Sequence, residues 1–180
     1  DRRGNLWVTN LAGNVTEYKT GATTPSGTIT NGVSLPTGIA FDRAGNLYVA
    51  NLISGGADVA VYAKGGESPS RTITDGILDA DGVAVDAKGT LYVTNLVTAT
   101  NGNGDVEEYK AGQSQPYLTI TDVNRPTDVI VNKAGYVYVS EIGTPAVLVF
   151  EPGSTEIWQQ FRQGMNTPAG LAYYVGTPPL

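Results

Sequence analysis

Apolar and β-branched residues come in short runs, and Gly, Pro, Asn or Asp closes each run. NLYVAN, DVAVYAK and RTIT are of this kind. Short runs rich in Val, Ile, Thr and Tyr, bounded by turn formers, predict β-strands. No stretch of about ten residues shows helical periodicity with caps, so an all-β chain is expected.

The pattern repeats. DRRGNLWVTN from Asp1, FDRAGNLYVAN from Phe41, VDAKGTLYVTN from Val85 and VNKAGYVYVSE from Val131 match one another. Their turn glycines, Gly4, Gly45, Gly89 and Gly135, lie 41, 44 and 46 residues apart. A second motif carries Tyr18, Tyr62, Tyr109 and Phe150, and a third centres on Ile29, Ile73 and Ile120. A fourth begins at Pro36, Ala80, Pro126 and Pro168. A period in this range signals a solenoid or a propeller. Units of four short strands decide for a β-propeller with blades of about 45 residues.

Within each blade the strands are named A to D from the axis outward. GIAFD is A, NLYVAN is B, DVAVYAK is C and SRTIT is D. The A–B hairpin turns through Asp-x-x-Gly, where Asp bonds its own turn and Gly takes a positive φ. The four blades are expected over residues 1–35, 36–79, 80–125 and 126–167. Residues 168–174 would complete the first by pairing Gly170–Tyr174 with its strand B. Closure of that kind removes exposed edges. The last blade departs from the pattern, with EIWQQF in place of TIT.

The motif P-x-G-[IV]-A-[FV]-D-x-x-G-[NT]-L-Y-V-[AT]-N resembles the NHL repeat, and the blades look like those of streptogramin lyases and gluconolactonase-like propellers. The resemblance covers the whole chain and implies a ring of six blades, of which these four are part. A closed four-bladed ring, or association with another chain to complete a ring, stays open. Streptogramin lyases carry a catalytic His and this sequence has none, so that activity is not implied.

Composition narrows the chemistry. With no His and no Cys, a Ser-His-Asp triad, thiolate catalysis and Cys-zinc sites are excluded. A net charge of −6 argues against nucleic acid, which demands clustered Lys and Arg. No apolar run is long enough to cross a membrane as a helix, so no membrane insertion is expected. The sequence starts at Asp1, just upstream of a turn, which reads as a processed or truncated N-terminus.

Strand B ends in Asn10, Asn51, Asn95 and Glu141, and strand A starts at the same mouth with Thr37, Asp81, Thr127-Asp128 and Ala169. Asn51, Asp81, Asn95, Asp128 and Glu141 would therefore form a partial ring of oxygen ligands. Calcium suits such a set. Gluconolactonase-like propellers hold a divalent cation at this mouth, which the resemblance extends to these five residues. The competing reading has the asparagines cap turns. Glu141 and Asp128 break the repeat in one blade and are expected to be near neighbours. For partner binding, the candidates are Trp158, which breaks the pattern on an outer strand, and Asn101, Asn103 and Asp105 in the longest B–C loop.

The function expected is a non-catalytic binding or scaffold propeller, extracellular or periplasmic, whose loop faces meet a protein or other macromolecular partner. The alternative is a divalent-cation-dependent hydrolase or lactonase with the metal at the channel mouth.

Overall fold

In the computed structural model, residues 1–53, 56–97 and 102–173 are described, and they hold fifteen β-strands and no helix. The first sheet has three strands, β1 (Leu6–Asn10), β2 (Asn14–Tyr18) and β3 (Gly27–Ile29). The second is β4 (Pro36–Phe41), β5 (Leu47–Ile53), β6 (Gly56–Tyr62) and β7 (Arg71–Ile73). The third is β8 (Ala80–Val85), β9 (Leu91–Asn95), β10 (Asp105–Tyr109) and β11 (Leu118–Ile120). The fourth is β12 (Pro126–Val131), β13 (Val137–Glu141), β14 (Ala146–Phe150) and β15 (Ile157–Phe161). Every pairing is antiparallel between chain neighbours, as in a β-propeller blade.

The A–B turns form as expected. Gly45, Gly89 and Gly135 have φ of 91°, 86° and 90°. Their N–H groups donate to the carbonyls of Asp42, Asp86 and Asn132 at 3.2, 3.2 and 3.0 Å. The Asp86 side chain accepts from the Lys88 and Thr90 N–H groups, both at 2.8 Å. A side chain at the glycine position would have to adopt the left-handed region.

Successive sheets cover each other face to face, so β9 and β10 of the third sheet are buried almost throughout. Val15, Ile29, Leu47, Val49, Ala60 and Tyr62 form the core between the first and second sheets. Val59, Ile73, Val83, Val93 and Tyr109 join the second to the third. Tyr92, Val106, Val129, Leu148 and Phe150 join the third to the fourth. Three face-to-face cores in series make the arrangement propeller-like.

The inner strands adjoin through threonines. The Thr9 hydroxyl donates to the Thr37 carbonyl at 3.1 Å, and Thr37 donates to the Ala80 carbonyl at 3.0 Å. Thr127 donates to the Pro168 carbonyl at 2.8 Å. Pro168 therefore sits on β12 as Ala80 sits on β4. The Leu171 N–H adds a bond to Asp128 Oδ2 at 2.7 Å. Residues 168–171 are held by Thr127 and Asp128, the contact that an inner strand makes with the one before it, and among the described residues the first sheet has three strands. Tyr174, the end of the expected strand, lies outside the described residues.

Candidate functional site

The B–C and D–A connections share one face of the sheets, here the upper face. Asn95 and Glu141 end β9 and β13 there, and Asn51 lies at the matching position near the end of β5. Each inner strand starts with a bulge, at Pro36/Ile39, Ala80/Val83 and Pro126/Asp128. One extra residue on the inner strand displaces it from its neighbour. The D–A connection then folds over the end of strand B.

The three side chains hold that connection. The Asn95 amide donates to the Gly76 carbonyl at 2.8 Å and to Asp105 Oδ1 at 2.6 Å. Its Oδ1 accepts from Leu78 N–H at 2.9 Å and Asp79 N–H at 3.3 Å. Asn51 repeats this with the Gly32 carbonyl, Asp58 and Ser34 N–H. Glu141 accepts from Asn124 N–H at 2.7 Å and pairs with Arg162 at 3.6 Å. Asn10 stays within its own hairpin, donating to Asn14 Oδ1 at 2.8 Å.

Of the five residues expected to surround a cation, Asn51, Asn95 and Glu141 spend their polar atoms on protein partners. Asn51, Asn95 and Glu141 are spread over three blades and engaged with their own loops. Among the described residues, no group of three or more Asp or Glu is placed to hold a metal ion. Glu141 and Asp128 have separate partners: Asp128 accepts from Val129 N–H at 2.9 Å and from Leu171 N–H.

Asp128 has a different neighbour, Asp81. A Cβ on Gly82 would lie 2.6 Å from Asp128 Cα and 2.9 Å from its Oδ1, so the Asp128 side chain lies against the backbone just after Asp81. Burial, then Asp128, then Asp79 push the Asp81 carboxyl up to about 6. Burial also raises Asp128, against the pull of its two N–H donors. Two half-buried carboxyls at the inner edge of neighbouring blades can share protons or attract a cationic group.

This pair makes stability depend on pH. The unfolded chain releases the Asp81 proton near the ordinary carboxylate range, while the folded chain keeps it to about pH 6. Between those values the folded state binds more protons, so the stabilisation is full at the acidic end and declines as pH rises. Asp81→Asn is expected to flatten the fall in Tm between about pH 4.5 and 6.5. A wild-type profile retained in the variant would show that Asp81 does not titrate there.

Of the partner-binding candidates, Trp158 is 55% exposed on β15 and packs on Tyr136 with ring centroids 5.1 Å apart. Asp105 is half-buried and bonded to Asn95, with burial raising its carboxyl. Asn103 lies in the B–C loop and is exposed. Asn101 lies outside the described residues. Sequence reasoning passed over Glu108, buried at 1% exposure. The signal was an acidic residue where the second and fourth blades carry Val61 and Val149.

No family model matches the sequence, and no curated protein matches it. Among solved structures, the chain is similar to hydrazine synthase from Kuenenia stuttgartiensis, a β-propeller-containing protein, at 19% identity and a TM-score of 0.69. The match covers 87% of this chain and 45% of that chain, so this sequence spans less than half of that protein. The likeness shows the fold, which is an all-β, propeller-like arrangement.

Proposed function

We propose that the chain is a non-catalytic binding propeller of the NHL-like kind, part of a six-bladed ring, and that its upper face docks a protein partner. The observation that carries the reading is the construction of that face. Buried Asn51, Asn95 and Glu141 hold its D–A connections in fixed conformations, while leucines on the same face point outward. Leu11, Leu35 and Leu78 are 65%, 43% and 53% exposed. Leu35 has a φ of 47°, a conformation that leucine rarely adopts, and Arg125 has one of 55° at the matching position. Strain at repeated loop positions is kept where the surroundings enforce it.

Charge gives the partner its character. Asp79, Asp81 and Asp128 lie on this side of a chain with net charge −6. A surface offering apolar side chains beside Lys or Arg complements it. Photo-crosslinking tests this. A crosslinker at Leu78 is expected to give one discrete adduct in an extract of the source cells. The same group at exposed Ala87, on the opposite face, is expected to give none. Equal labelling from both positions, or none from Leu78, would overturn the assignment.

A further inference from the structure

On the lower face, which bears the A–B and C–D turns, a cleft of about 400 Å³ opens between the third and fourth blades. It shares no residue with the docking face argued above. Its lining includes Lys88, Lys110, Lys133, Asp86, Tyr92 and Tyr117. Three of the chain's five lysines thus border one cleft in a protein of net charge −6. Lys110 stands over the Tyr117 ring, 5.1 Å from its centroid. Among the described residues, the one salt bridge joins Arg162 to Glu141, so none of the three ammonium groups is neutralised by a carboxylate in contact.

Glu108 lies just behind this wall. It sits on β10 in alternation with Val106, whose side chain belongs to the core shared with the fourth blade. Its Oε2 accepts from the Tyr117 hydroxyl at 2.6 Å, whereas its buried Oε1 has no hydrogen-bond partner. The repeat explains the deficit. At the matching position of the first blade, Glu17 receives a bond from Asn5 Nδ2 at 2.7 Å. Thr90 takes the place of Asn5 in the third blade, and Glu108 Oε1 receives no bond from it. The second and fourth blades avoid the problem with Val61 and Val149. The fold thus needs neither the carboxyl nor Tyr117, whose counterparts are Ser26 and Ser70. A buried acceptor left unmet costs about 1–3 kcal/mol. Departures from local consistency at such cost mark functional positions.

The geometry points to this cleft as a binding site for a small sugar acid, a hydroxylated ring bearing a carboxylate. The lysines meet the carboxylate through charge-assisted hydrogen bonds. The Tyr117 ring offers a flat apolar face to the sugar. The Tyr117 hydroxyl, whose proton goes to Glu108 Oε2, presents its oxygen to a ring hydroxyl as an acceptor, with Glu108 fixing its orientation.

Titration calorimetry of the full chain with glucuronate tests the site. Saturable binding is expected, weakened at least about tenfold by Lys110→Ala combined with Lys133→Ala. Tyr117→Ser, which restores the repeat residue, is expected to weaken it similarly. Glu108→Gln keeps the shape and serves as a second probe of the carboxyl, also with reduced affinity. Lys64→Ala, in the cleft between the first two blades, is expected to bind as wild type does. No saturable heat, wild-type affinity in the lysine variants, or equal affinity for glucose would overturn the proposal. Inorganic phosphate binding as tightly as glucuronate would reduce the site to a bare anion patch and overturn it too.

Discussion

Asn95→Ala is expected to lower the unfolding free energy by about 3–4 kcal/mol, from the loss of several buried hydrogen bonds at about 1–3 kcal/mol each. Asn95 is fully buried and serves four groups at once: the Gly76 carbonyl, Asp105, and the N–H groups of Leu78 and Asp79. Truncation leaves those groups unpaired beneath a loop that keeps water away. Asp105 loses the one contact that opposes its desolvation, so its carboxyl should move further upward. Against a typical total stability of about 5–15 kcal/mol the loss is large. Urea unfolding followed by far-ultraviolet circular dichroism measures it. A change below about 1 kcal/mol, the usual scale for a surface position, would mean that Asn95 faces solvent rather than the loop.

The same residue shows what a sequence reveals and what it hides. The strands and A–B turns are legible because each is a local statement. Asp86 and Gly89 fix their turn through bonds to residues within four positions. The alternation in VTEYK, VAVYA and VEEYK likewise fixes which residues meet the next sheet. The orientation of Asn51 and Asn95 is a different matter. It depends on a bulge in the neighbouring strand and on a loop arriving from the preceding blade. Neither leaves a mark on the asparagine itself, so the residues read equally well as cation ligands and as caps.

The closeness of Asp81 to Asp128 was hidden for a second reason. Aligning the repeats places Asp81 with Thr127 and Asp128 with Gly82, one position apart. Packing of inner strands brings them together because Gly82 has no side chain to hold Asp128 off. Glu108 was hidden by its type. A Glu-Glu pair in a strand reads as a solvated edge, yet here both members are buried, with Glu107 bonded to Thr119 at 2.8 Å and Glu108 to Tyr117.

The account rests on the inner strands of successive blades lying directly against one another about an axis. Gly82→Ala tests that contact. Its new Cβ would meet Asp128 Cα at 2.6 Å and the Thr127 carbonyl oxygen at 3.1 Å. Both are backbone atoms, which cannot rotate away. Gly38→Ala would press on the Asp81 carbonyl oxygen at 2.5 Å, one blade earlier. Overpacking of this kind typically costs about 1–3 kcal/mol, and backbone neighbours place both variants at or above about 3 kcal/mol. Gly170→Ala meets no atom within 4 Å and is the internal control. The decisive measurement is the urea unfolding free energy of the three variants side by side. Heavy losses in Gly38→Ala and Gly82→Ala, with Gly170→Ala within about 0.5 kcal/mol of wild type, are predicted. Near-neutral behaviour of all three would mean that the blades do not pack radially, and the propeller account would be wrong.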